Sequence, residues 1–142
     1  KEGANAAVIF NRFFRFDFNL STMRLSGAQP LSSETEYHES LRWTSILYKR
    51  VGLEIVSSTG IHNANAAVKC LLAGASAVEV CSIIYKKGWK IVEAIFKDMN
   101  ILMDSLGYSS LDGLQGKLAA INADRPEEYH RLQYIKALTD IY

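Results

Sequence analysis

Apolar and polar positions change period several times along this chain, and each change marks an element. "AAVIF" (Ala6 to Phe10) is a continuous apolar run, the pattern of a strand covered on both faces. After Asn11-Arg12 the pattern switches to alternation in "FFRFDFNL", with Phe14, Phe16, Phe18 and Leu20 on one side and Arg15, Asp17 and Asn19 on the other. That predicts a half-buried strand or extended arm. "STMRLSGAQP" reads as a loop or short hairpin. Ser33-Glu34-Thr35-Glu36 fits a capping box that opens a helix with Tyr37, Leu41, Thr44 and Tyr48 on one face, and Gly52 stands at the expected C′ stop. "LEIVSS" predicts the next strand, Asn63 the N-cap of a helix over "ANAAVKCLLA", and Gly74 its end. "AVEVCS" predicts a third buried strand. Beyond "IIYKKG", the residues Val92, Ile95, Phe96, Met99, Leu102, Met103 and Leu106 recur at helical spacing until Gly107. A helical turn starts near Ser110. Asp124-Arg125-Pro126-Glu127 then caps a last amphipathic helix carrying Tyr129, Leu132, Ile135 and Leu138.

The order is β-arm-α-β-α-β-α-α. Buried strands alternating with helices argue for an α/β fold built on parallel βαβ units. About three such units are too few for a closed barrel. The opening "KEGANAA" reads as the end of a helix running into a strand, which is expected of a chain that starts inside a domain. Residues 1–118 group as one unit, and 119–142 as a tail with an amphipathic helix.

Composition narrows the class without naming a reaction. The chain has 142 residues, 49% hydrophobic and 22% charged, with a net charge of +1. That is the balance of a globular domain, and it supplies no basic stripe for nucleic acid. No apolar run approaches the ~20 residues a membrane span needs. Cys70 and Cys81 form neither a CxxC pair nor a disulfide framework, so the expectation is reduced thiols and a cytoplasmic protein.

The chemistry concentrates between Ser57 and Gly88. In parallel α/β folds, ligands sit at the carboxyl ends of the strands. "SSTGIHN" and "CSIIYKKG" occupy those ends on consecutive strands, and each leads into a helix N-terminus. Small residues and unpaired N–H groups suit an anion, as in the phosphate site on the last two strands of many (β/α)8 barrels. Spacing alone leaves open whether these are anion loops or ordinary tight turns.

The residues themselves go further. "STGIHNANAAVKCLLAGASAVEVCSIIYKKG", with the later "SLDGLQGKL", resembles the carboxyl-terminal part of dihydroorotate dehydrogenase, an FMN-binding (β/α)8 TIM barrel. The likeness runs from about Ala4 to Lys117 and is nearest to the dihydroorotate dehydrogenase-like proteins, where "FNRF", "LRW" and "TGIH" also belong. A barrel of this kind needs roughly 250 residues, so the chain would be its distal half. The resemblance implies FMN as cofactor, with its phosphate held by Thr59 and Gly60, where the family has Gly-Gly, and by Cys81 and Ser82, where it has Gly-Thr. It implies that Asn11 binds a pyrimidine substrate, with Arg12 standing where the family often has a small hydroxyl residue. Thr59 puts a Cβ where the backbone favours a positive φ, and Cys81 narrows the approach. The family's catalytic base lies on earlier strands, so no catalytic or metal-ligating residue is assigned within this chain.

The implied activity is that of an FMN-dependent oxidoreductase acting on dihydroorotate or a related dihydropyrimidine. The alternatives are a phosphate-ligand barrel without redox activity, and a half-barrel that works only by pairing. The expected partners are a small-molecule substrate and either a second copy or the rest of the barrel, with no nucleic acid and no membrane. Among single residues, Cys70 is expected in the core and Cys81 as a loop residue. His62 is either a solvated loop histidine or a group that reaches phosphate or substrate. His38 and His130 are expected on helix surfaces. Lys86 and Lys87 either screen a phosphate or simply face solvent.

Overall fold

The computed structural model describes residues 3–12, 16–27 and 29–131. Its centre is a three-stranded parallel sheet in the order β1-β4-β5. β1 (Ala6–Ile9) pairs with β4 (Glu54–Ser57), Ala6 facing Glu54 and Ile9 facing Ser57. β5 (Ala77–Val78) adds to the other side of β4 through Val56 and Ser57. Between β1 and β4 stand the antiparallel hairpin β2 (Phe16–Asn19) and β3 (Arg24–Gly27) and the helix α1 (Tyr37–Leu47). α2 (Ala64–Ala73) is the crossover from β4 to β5. α3 (Ser82–Lys87), α4 (Lys90–Ser105) and α5 (Leu111–Leu114) follow, then a 3-10 turn at Ala120–Asn122 and α6 (Pro126–Arg131). The parallel βαβ order expected from the sequence is therefore present, and the three strands close no barrel.

The best-read element is α2. Asn63 is extended, and its side chain accepts from the Ala66 amide at 3.0 Å; Gly74 ends the helix at φ +116. Both assignments follow the sequence. α2 buries Ala66, Ala67, Val68, Cys70 and Leu71, and α4 packs on it through Met99 and Met103. Under the sheet, Thr44 of α1 and Ser57 of β4 are fully buried and join hydroxyl to hydroxyl at 2.7 Å. Ser57 also hydrogen-bonds Cys70, whose thiol is pushed up to about 11 by burial. Buried polar groups are tolerated when they satisfy one another, and this chain ties α1, β4 and α2 together.

Several expectations change in the fold. "AVEVCS" is not a buried strand: β5 is two residues long, a sheet edge, and only partly covered. The alternation in "FFRFDFNL" does not give a covered face: Phe16 and Phe18 are 64% and 62% exposed, with no layer beneath the hairpin among the described residues; Phe14 lies outside the described residues. Gly52 does not end α1. That helix stops at Leu47, and Lys49 takes the left-handed position at φ +57. In α4 the apolar stripe is broader than its buried face, since Ile95 and Met103 are buried while Phe96 is 61% exposed. "IIYKK" is itself helical, as α3. Of the last helix, Leu132, Ile135 and Leu138 lie outside the described residues.

One packing detail closes the end of the sheet away from the loops. The Tyr48 ring lies between Gly74 and Gly116. A Cβ on Gly116, which has φ +73, would come within 2.8 Å of the Tyr48 hydroxyl oxygen and closer still to its ring. Gly116→Ala is expected to destabilise the fold by about 2 kcal/mol through strain and overpacking, read as a lower midpoint in urea at unchanged slope.

Candidate functional site

The ladder fixes where the loops emerge. Ser58 donates to the Ile9 carbonyl at 2.8 Å and Glu79 to the Ser57 carbonyl at 2.9 Å, so the three strands end level at their carboxyl ends. Beyond that line Asn11, Thr59, Gly60, Cys81 and Ser82 all border one cavity of about 270 Å3, together with Ser32, His62, Glu79 and Tyr85. A wider depression of about 710 Å3, between β1 and the start of α1, shares Asn11, Arg12, Ser58 and Thr59 with it as a common wall. The fold thus brings Asn11, Thr59, Gly60, Cys81 and Ser82 together on one cavity, while Lys86 and Lys87 do not line it.

The Thr59-Gly60 turn has the unusual backbone that a Gly-Gly pair would favour. Both residues have positive φ, +72 and +76. At Gly60 the glycine is required: a Cβ would lie 2.8 Å from the Glu36 carbonyl carbon and nearer still to the Tyr37 amide nitrogen. Thr59 holds its strained conformation with a hydrogen bond of its own, its hydroxyl donating to the Phe10 carbonyl at 2.8 Å. The threonine thus holds, by its own tether, a conformation that glycine takes most readily. At the second loop Cys81 has φ −131, outside the left-handed region, so its backbone does not call for glycine. Cys81 is exposed. Ser82 accepts the Ser32 amide on its hydroxyl oxygen at 2.9 Å, which leaves its O–H hydrogen free to donate elsewhere.

Arg12 is held rather than free. Its Nε meets Glu36 at 2.8 Å, a second guanidinium nitrogen reaches the same carboxylate at 3.4 Å, and the third donates to the Gln29 carbonyl at 2.6 Å. Glu36 also accepts the Ser33 amide at 2.8 Å, the side-chain-to-backbone half of the expected capping box. Chiefly through Arg12, the Glu36 carboxyl is lowered from 4.5 to about 2. The cation past the end of β1 is therefore neutralised by its neighbour.

His62 is not the solvated loop histidine, although it lies on the wall of the smaller cavity. It is 5% exposed, and its Nε2 lies 3.0 Å from the hydroxyl of Ser32. Burial, aided by Lys86, holds its pKa below the ordinary 6.5. Lys86 donates to the Ser32 carbonyl at 2.7 Å, so it is engaged in the fold rather than simply facing solvent. His38 and His130 are exposed, as expected. Sequence reasoning missed Ser32 and Glu36 as parts of this site, and the bond from Lys86 to Ser32. Only the capping-box spacing of Ser33 to Glu36 hinted that this segment turns back toward the sheet.

Two consequences can be measured. Thr59→Ala keeps the left-handed strain and loses the tether, and should destabilise by about 1 kcal/mol; Thr59→Gly loses both and should be near neutral. Denaturant titration of the pair decides. The second consequence concerns pH. Because His62 has a lowered pKa in the fold, its burial favours the folded state fully above pH 6.5, and that contribution is lost as pH falls below 6.5. Glu36 acts in a lower window, its contribution being lost from 4.5 down toward 2. The melting temperature should fall on acidification below neutrality, and His62→Gln should flatten the first of these two declines.

Comparison with known proteins agrees with this geometry. Residues 27–103 match the profile of the dihydroorotate dehydrogenase family. The chain is 35% identical over 72 residues to dihydroorotate dehydrogenase (fumarate) of Saccharomyces cerevisiae, covering 51% of this chain and 23% of that protein. It is 30% identical over 69 residues to dihydroorotate dehydrogenase A (fumarate) of Lactococcus lactis, covering 49% and 22%. Its fold superposes on the DHODH of Eimeria tenella crystallised with ferulenol, at a TM-score of 0.60 and 21% identity, over 79% of this chain and 30% of that one. A ligand-free crystal form of the Eimeria tenella enzyme matches at a TM-score of 0.54 and 26% identity, over 68% and 25%. The βα units described above are thus part of a TIM barrel, and the chain spans about a quarter of the length of the curated relatives it matches. With more than half of its residues inside the family profile, the chain belongs to the dihydroorotate dehydrogenase family.

Proposed function

We propose that this chain is the distal part of an FMN-dependent oxidoreductase of the dihydroorotate dehydrogenase type, acting on dihydroorotate or a related dihydropyrimidine. The observation that carries the reading is the convergence of Asn11, Thr59, Gly60, Cys81 and Ser82 on one cavity at the carboxyl ends of three parallel strands. The cradle fits a phosphate on two counts. The consecutive left-handed residues Thr59 and Gly60 present main chain with no Cβ at Gly60, and Ser82 retains an O–H to donate. Thr59 and Gly60 on one side and Cys81 and Ser82 on the other would hold the FMN phosphate, and Asn11 would contact the substrate. Bound there, FMN supplies the two-electron redox chemistry. The residues of this chain supply grip and orientation, and the proton-transferring group belongs to the rest of the barrel.

The motive for a phosphate barrel without redox activity was the pair of substitutions at Thr59 and Cys81. That motive weakens for Thr59, whose left-handed backbone is held by its tether to Phe10. Pairing remains part of the proposal. β1 and β5 are both edges of the sheet, and Val8 of β1 is 50% exposed. Open edges of a parallel sheet call for further strands, from the rest of a barrel or from a second copy. No helix among the described residues is long and apolar enough to cross a membrane.

The test is retention of flavin. The purified protein, mixed with FMN and passed through gel filtration, is expected to keep a visible flavin spectrum. Gly60→Val, which crowds the Tyr37 main chain, should cost at least tenfold in FMN affinity. A protein that holds inorganic phosphate but no flavin would overturn the redox reading.

A further inference from the structure

Ser32 is 3% exposed and lies in the strap that leads into α1, away from both loops in sequence. All three of its polar groups are nevertheless taken by the two loops. Its amide donates to the Ser82 hydroxyl oxygen at 2.9 Å, and its carbonyl accepts from Lys86 Nζ at 2.7 Å; both partners belong to α3. Its hydroxyl meets His62 Nε2 at 3.0 Å, on the turn between β4 and α2. The sheet ladder that aligns β4 with β5 ends at the Glu79 amide. Past that point, among the described residues, no hydrogen bond runs directly between the turn at 58–63 and the segment at 80–88. The polar connection between them passes through Ser32.

We propose that Ser32 is a positioning residue that clamps the two loops at a fixed separation, so that Thr59-Gly60 and Cys81-Ser82 face one ligand as a single cradle. It acts through His62, Ser82 and Lys86 and touches no ligand itself. The geometry stands on its own; its consequence for flavin rests on the phosphate reading given above. Two sheet ends without such a cross-tie would move independently, and a cradle with a variable gap loses the pre-organisation that makes a phosphate site tight. The lowered pKa of His62 fits this role, because a neutral imidazole can accept the Ser32 hydroxyl proton.

The clamp predicts effects that cross from one loop to the other. Ser32→Ala deletes only the bond to His62, yet amide hydrogen exchange should rise about tenfold at Ser82 and Ile83 as well as at Gly60 to His62. Ser82→Ala, made on the opposite side, should loosen Gly60 to His62. Ser32→Thr, which keeps the hydroxyl, should restore protection, and protection in α4 should stay unchanged as the measure of an intact fold. If each variant loosens only its own loop, the clamp is overturned. Ligand affinity separates this result from the flavin reading. In Ser32→Ala the dissociation constant for FMN should rise about tenfold, while that for riboflavin, the same ring without the phosphate, should hold steady. Equal losses for both would overturn the clamp as a phosphate-positioning device. Should the unaltered protein bind neither flavin, the flavin reading fails, and the exchange experiment still decides the clamp.

Discussion

The constraint on which the rest of the site depends is the missing Cβ at Gly60. The first turn of α1 sits against that position so closely that no side chain fits beneath it. This approach sets where Glu36 and Tyr37 lie, and Glu36 then reaches Arg12 at the end of β1 while accepting the Ser33 amide. The strap before α1 is thereby drawn over both loops, and Ser32 arrives among His62, Ser82 and Lys86. A single absent methyl group thus organises contacts from three separate βα units. Local conformation and long-range packing agree here, because the left-handed turn that glycine permits is also the turn that lets the helix approach.

The sequence made the α/β class legible because the strands and α2 follow rules that act over a few residues. Asn63, Gly74 and the apolar run of α2 were readable as cap, stop and buried face, and all three hold. The failures share a physical cause. Alternation in "FFRFDFNL" reports which residues could share a covered face, not whether a layer exists to cover them, and among the described residues the hairpin has none. The stripe on α4 reads wider than its contact with α2 for the same reason, leaving Phe96 outside. "AVEVCS" has the composition of a buried strand but lies at a sheet edge, where only two residues find ladder partners.

The candidate site was legible in its loops and illegible in its supports. Thr59, Gly60, Cys81 and Ser82 stood out because small residues at strand ends carry a meaning in any parallel fold. Ser32 and Glu36 did not, because their importance comes from partners far away in the chain. Ser32 and Ser82 lie fifty positions apart, as do Arg12 and Glu36 by twenty-four. Nothing in a serine before a helix announces that its amide, carbonyl and hydroxyl will all be claimed by other segments. His62 shows the same limit: its identity suggested ligand chemistry, and nothing local announced its buried bond to Ser32.

The contrast between the two thiols gives the molecule an unplanned reporter. Cys70 is fully buried, hydrogen-bonded to Ser57 and protonated far above neutral pH, whereas Cys81 stands exposed on the rim of the cavity. A thiol-directed fluorophore or spin label would therefore attach at one place without any engineering, since only Cys81 is accessible to it. That place is the mouth of the cradle. The wild-type chain is already suited to optical or magnetic readout of whatever enters there.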